Sequence, residues 1–203
     1  MSLIAFIGCD GCGKSAVIRC VAERLRAENI AVTCGHWRPK AFARAASVGA
    51  TVTVEDPHGR PPRGFATSCL KLGWLWLHWW VGWWTGLRQA SKEGLVLFDR
   101  FHGDLLVDPR RYRYGAPLWL AAFATRFMPQ PDLILFLDAP ADVLLARKQE
   151  VSREALEISR QRYLELQHGN PRIVTLDASQ PLPQVVEAAW LRIDTLRTQQ
   201  SRA

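Results

Sequence analysis

The chain has 203 residues, 48% of them hydrophobic, and carries 26 Lys plus Arg against 19 Asp plus Glu, a net charge of +7. That length suffices for one domain with a real buried core, so residues 1–203 are read as a single domain. The basic excess is almost all arginine, which suits bidentate phosphate contacts. No basic stripe stands out beyond Arg110, Arg111 and Arg113, so nucleic acid is not an expected partner.

Residues 3–7, Leu-Ile-Ala-Phe-Ile, read as a short buried strand. Gly8, Cys9, Asp10, Gly11, Cys12, Gly13, Lys14 and Ser15 follow and fit the phosphate-loop pattern G-x-x-x-x-G-K-[ST]. Val17, Val21 and Leu25 then recur at helical spacing, and the helix ends near Asn29. The motif thus sits between strand and helix, where its mechanism requires it. Glycines allow a tight turn and close approach to a ligand, and the freed N–H groups and helix N-terminus face an anion. Lys14, expected in an exposed cradle, would reach the outer phosphates of ATP, and the Ser15 hydroxyl would hold Mg²⁺.

Five cysteines and an N-terminus without a basic leader predict a reduced, cytoplasmic protein. Cys9 and Cys12 form a C-x-x-C inside the loop. A disulfide there would distort the cradle and act as a redox switch. The simpler reading, and the preferred one, is two small residues at variable loop positions.

A second strand over 30–34 delivers Gly35-His36-Trp37-Arg38-Pro39 to its carboxyl end, where ligands bind in open α/β sheets. Arg38 is therefore a candidate contact to an acceptor phosphate. Residues 49–65 read as a Gly/Pro-punctuated loop made basic by His58, Arg60 and Arg63, a connector rather than a cover for the substrate. Residues 72–87 hold six of the nine tryptophans and no formal charge. The run is shorter than the roughly 20 residues a membrane span needs. As a helix apolar all round it has three destinations: core plus a homodimer surface, which is favoured, an apolar substrate pocket, or membrane contact.

Residues 94–98 form a third buried strand with Asp99-Arg100 at its carboxyl end. A polar, aromatic connection over 101–115 precedes a helix over 116–128. Strands over 132–137 and 172–176, helices over 141–148, 153–168 and 182–198, and a charged segment at 147–153 complete the chain. Strands alternating with helices predict an α/β fold, a parallel sheet with helices on both faces. No internal repeat or low-complexity linker interrupts it.

The sequence resembles the thymidylate kinase branch of the P-loop nucleotide kinases. Residues 6–15, Phe-Ile-Gly-Cys-Asp-Gly-Cys-Gly-Lys-Ser, are similar to that family's F-x-G-x-D-G-x-G-K-[ST]. Residues 96–101, Val-Leu-Phe-Asp-Arg-Phe, are similar to its V-x-x-D-R-[YFH], and residues 135–140, Leu-Phe-Leu-Asp-Ala-Pro, to its L-x-L-[DE]-x-P. The resemblance implies a three-layer P-loop kinase fold with a five-stranded parallel sheet, a short lid at about 147–153, and ATP and Mg²⁺ as cofactors. By position, it implies that Asp10 contacts a substrate hydroxyl, Arg100 binds the acceptor phosphate and Asp99 orders the catalytic centre. A phosphate loop without arginine implies a lid arginine, here Arg147 or Arg153.

Two departures bear on the acceptor. The helix before Asp99-Arg100 carries no arginine over 72–87, where that family reads thymine. The serine and Tyr-Gln pair that normally follow are replaced by residues 103–115, a variant similar to thymidylate-kinase-like proteins associated with bacterial surface-polysaccharide synthesis. The expectation is an ATP-dependent kinase with catalytic Lys14, Asp99, Arg100 and a lid arginine. Its small-molecule acceptor is a nucleoside monophosphate or a sugar, glycan or lipid-linked group. The contrasting expectation is a non-catalytic ATP-binding regulatory module, against which the Asp99-Arg100 pair argues, since a pure switch needs no acceptor clamp.

Overall fold

The computed structural model describes residues 2–37, 39, 61–148 and 152–201. Its centre is one all-parallel sheet of β1 (Ser2–Ile7), β2 (Ala31–His36), β3 (Gly94–Asp99), β4 (Leu133–Asp138) and β5 (Ile173–Asp177), in the order β2-β3-β1-β4-β5. β1, β3 and β4 are near-continuous apolar runs because both faces of a central parallel strand are covered. β2, at an edge, is only partly buried.

The helices are α1 (Lys14–Ala27), α2 (Phe65–Gly82), α3 (Arg88–Glu93), α4 (Asp104–Val107), α5 (Leu118–Arg126), α6 (Ala141–Arg147), α7 (Arg153–His168) and α8 (Leu182–Ser201). The crossover from β1 to β2 runs one way along the sheet and those from β2 to β3, β3 to β4 and β4 to β5 run the other. Right-handed crossovers then assign α1 to one face and α2, α3, α5 and α7 to the opposite one. α8 packs against α1. This is the expected α/β architecture: a five-stranded parallel sheet flanked by helices on both sides.

The topology also selects the site. After β1 the chain leaves toward β2, and after β3 it leaves toward β4. The two loops diverge at the carboxyl ends of adjacent strands, which is where open α/β sheets bind ligands. The register aligns Phe6 with Asp99 and His36 with Asp99 at that edge.

Two elements differ from expectation. β2 extends past residue 34 to His36, because pairing with β3 continues as far as Asp99. The tryptophan-rich helix is also much longer than 72–87. It starts at Phe65, passes through one π turn at Trp83–Leu87 and continues into α3. Pro39 abuts it at Gly82, where an added Cβ would meet the Pro39 Cβ at 2.2 Å. Trp79 alone of the α2 tryptophans is fully buried, against Phe98 (ring centroids 5.4 Å) and His102 (5.0 Å). Among the described residues no helix is long and apolar enough to cross a membrane. Arg38, His58 and Arg60 lie outside the described residues.

Candidate active site

The loop after β1 turns through three positive-φ glycines, Gly8 (141°), Gly11 (87°) and Gly13 (89°), and Gly13 caps α1. Two of them are also sterically obligatory. A Cβ at Gly8 would sit 2.4 Å from the Leu137 carbonyl oxygen, and one at Gly11 would sit 2.8 Å from that of Leu144. The end of α6 therefore presses on the loop, and the lid segment, of which 149–151 lie outside the described residues, departs from beside Gly11.

Lys14 is buried, not exposed as its sequence context suggests. Its Nζ donates to the carbonyl oxygens of Gly8 (2.8 Å) and Cys9 (2.9 Å) and to Cys12 Sγ (3.4 Å). The ammonium is thus held across the mouth of the loop by the loop's own acceptors, and an anion bound there would be met by a charge already in position. Cys9 and Cys12 are both buried free thiols. Burial pushes the Cys9 thiol up to about 12 against the pull of Lys14. A thiol so far from ionising is a poor nucleophile, which weighs against a redox switch and for the structural reading of the pair.

Ser15, the second residue of α1, donates its Oγ hydrogen to Asp99 Oδ2 at 2.8 Å. The other oxygen, Asp99 Oδ1, is buried and has no hydrogen-bond partner among the described residues. A buried, unsatisfied carboxylate oxygen beside a hydroxyl at the head of a phosphate loop fits Mg²⁺. That ion takes one or two protein oxygens and completes its shell with water and phosphate. Among the described residues no group of three or more His, Cys, Asp or Glu side chains could hold a metal by themselves, so an ion here would share Ser15 and Asp99 with its substrate.

Arg100 follows in a left-handed conformation (φ 66°), costing about 1–3 kcal/mol for a non-glycine residue. The surroundings over-determine it. Its backbone N–H donates to the Phe6 oxygen at 2.9 Å. Its buried guanidinium donates to Asp104 Oδ2 (2.8 Å), Tyr163 Oη (3.2 Å) and Asp10 Oδ1 (2.5 Å). Arg111 Nη1 donates to the other oxygen, Asp10 Oδ2. Burial raises the Asp10 carboxyl, but Arg100, Lys14 and Arg111 outweigh it and hold the group well below the usual carboxylate range. Asp10 therefore stays ionised, clamped between two arginines. A cleft lined by Cys9, Asp10, Arg100, Arg111 and Tyr163 opens beside this cluster. Next to it Trp37, itself at positive φ (53°), stacks on Tyr112 with centroids 4.6 Å apart. With Leu72, Leu75 and Leu105 the pair lines a small apolar cavity. The tryptophans of α2 do not line it.

The structure thus gathers Asp10, Lys14, Ser15, Asp99 and Arg100 at one edge of the sheet. The two lid arginines sit elsewhere in this conformation. Arg147 donates to the Ala178 oxygen at 2.7 Å, and Arg153, half exposed, pairs with Asp142 and Glu157. From α7, Arg160 forms a bidentate pair with Asp138 at the end of β4 (2.6 and 2.8 Å), and Arg162 donates to the Val107 oxygen at 2.9 Å. Sequence reasoning missed Asp104, Arg111, Tyr163 and Arg160. Asp104 had a usable signal, its i, i+4 spacing from Arg100, and Arg111 lay in the one basic run. Tyr163 and Arg160 reach the site through helix packing alone and had none. No family model matches the chain.

Proposed function

We propose that this protein is an ATP-dependent phosphotransferase of the P-loop kinase type, related to the thymidylate kinase branch. The observation that carries the reading is the double role of Asp10. It belongs to the loop that would cradle the donor phosphates, and it is gripped by Arg100 and Arg111, the cations that would clamp an anionic acceptor. Donor and acceptor devices are thereby held within one side chain's length of each other, the arrangement an in-line transfer requires.

The phosphoryl group passes through a loose, anionic transition state, so positioning and positive charge do most of the work. The loop N–H groups and Lys14 hold the β- and γ-phosphates. Mg²⁺, held by Ser15 and Asp99, would neutralise charge on the phosphate oxygens. Arg100 and Arg111 align the acceptor oxygen, which bonds to phosphorus as the bond to the β-phosphate oxygen breaks and ADP leaves. A hydroxyl acceptor also loses its proton, which in so loose a transition state leaves late, to the oxygens of the transferred phosphoryl group or to solvent.

The acceptor is a nucleoside monophosphate or a sugar, glycan or lipid-linked group. The stacked Trp37–Tyr112 pair beside the clamp supports the second class, because flat aromatic faces suit the C–H faces of sugars. No arginine of α2 stands ready for a thymine edge, whose burial without polar partners is costly. The test is ADP release by purified protein with MgATP across nucleoside monophosphates, sugars and glycolipids. Activity with any acceptor that is lost in Arg100→Ala supports the reading. ATP binding without turnover on every class leaves the regulatory module as the better account.

A further inference from the structure

The outer face of α2 and α5 is apolar, aromatic and uncovered among the described residues, and the kinase reading makes no use of it. Trp76 and Trp80 contact each other with ring centroids 6.2 Å apart. Trp80 Nε1 donates to the Phe127 oxygen at 3.0 Å, which ties α2 to the end of α5. Phe127 and Phe123 pack edge to face at 5.0 Å, and Trp119 lies one helical turn further on. Trp84, Trp119, Phe123 and Phe127 are each more than half exposed. Monomeric soluble proteins rarely expose so continuous an apolar surface without a use for it.

The charge around this patch identifies what covers it. Residues 57–92 and 109–131 contain no Asp or Glu. Arg88 stacks over Trp84 at 4.8 Å, Lys92 lies one turn beyond it, and Arg126 lies beside Phe127. None of these three cations has an ion pair among the described residues. A second copy of the chain would be a poor cover. A two-fold interface matches a patch with itself, so it would set the cationic rim of one copy against that of the other. An anionic lipid surface has the opposite charge. Its interfacial zone is also where indole rings, apolar in body and polar at the N–H, reside by preference.

We propose that the α2–α5 face docks the protein on anionic membrane surfaces, with Trp76, Trp84, Trp119, Phe123 and Phe127 entering the headgroup region and Arg88, Lys92 and Arg126 meeting lipid phosphates. The contact is peripheral. The apolar side chains lie along helix faces, and Trp79 on the inner side of α2 stays in the core against Phe98, one residue from Asp99. Docking therefore brings the lipid surface to the helix that backs the candidate catalytic strand.

The test is co-sedimentation of the full chain with vesicles of phosphatidylglycerol and phosphatidylcholine, against phosphatidylcholine alone. Light scattering after gel filtration and circular dichroism accompany it. Wild type should bind the anionic vesicles, release at high salt and show a blue shift of tryptophan emission. Trp84→Ser with Phe123→Ser, both at exposed positions, should weaken binding about tenfold or more with the fold intact. Arg88→Gln with Arg126→Gln should weaken it about fivefold per cation removed. Three results would overturn the proposal. One is no binding of wild type to anionic vesicles. Another is binding that neither double variant changes. The third is a wild-type dimer, indifferent to lipid, that Trp84→Ser with Phe123→Ser converts to monomer, which would make this face an interface between copies.

Discussion

Replacing Asp10 by Asn tests the clamp directly. The carboxylate accepts from Arg100 through one oxygen and from Arg111 through the other. Asn keeps one acceptor for Arg100, but its amide hydrogens then face the donors of Arg111. Hydrogen bonds to charged groups contribute about 1.5–3 kcal/mol each, and breaking a buried ion pair from one side costs about 3–5 kcal/mol. Two features pull the expectation to the low end. Arg100 retains Asp104, and the Arg111 side chain is 27% exposed, so water takes up part of its loss. The working figure is about 3 kcal/mol, which for a chain of this size lowers Tm by about 6–12 °C. Thermal denaturation followed by circular dichroism reads it. Asp142→Asn, which breaks the solvent-exposed pair with Arg153, is the control and should leave Tm almost unchanged. An Asp10→Asn shift below about 2 °C would show that the clamp contributes no net stability and would remove the basis for calling it preorganised.

Ser15→Ala and Asp99→Asn should each weaken the magnesium-dependent part of ATP binding by about 10–100-fold and leave ATP affinity in EDTA nearly unchanged; titration calorimetry with retained magnesium dependence would contradict the metal assignment. Arg160→Ala should lower kcat by about 10³ if that guanidinium supplies transition-state charge, and Arg153→Ala by much less. The reverse ranking in steady-state kinetics would return that role to the lid. His102 gives a pH signature. Burial lowers its ring from 6.5 to about 4, and its Nε2 faces the Pro129 oxygen at 3.1 Å. Between those values the unfolded chain takes up a proton that the native ring refuses. Stability from this group is therefore complete above pH 6.5 and falls by about 3 kcal/mol as pH drops toward 4. Urea titrations of wild type and His102→Gln across that window should show the variant with the shallower acid slope, and equal slopes would exclude the ring as the source.

The sequence by itself determined the sheet and the phosphate loop. Buried parallel strands must be continuous apolar runs, and residues 3–7, 94–98 and 133–137 are such runs. The loop's glycines announce positive φ and close approach, and the structure has both at Gly8 and Gly11. Strand ends mark the ligand edge in any parallel sheet, so Asp99 and Arg100 could be picked out before any coordinates. What only the tertiary structure decided is which distant side chains meet there. Tyr163 and Arg160 reach the edge because α7 packs on the sheet face over β4, with Tyr163 stacked on Phe136 and Arg160 paired with Asp138 at the strand's end, and no local pattern encodes that contact. The same holds for Lys14, whose burial follows from the loop carbonyls folding over its ammonium. The tryptophan-rich helix makes the division clearest. Its composition said apolar all round. Packing alone sorted it, sending Trp79 inward against Phe98 and leaving Trp84 outward beside Arg88, because one helix face touches the sheet while the other is left exposed among the described residues.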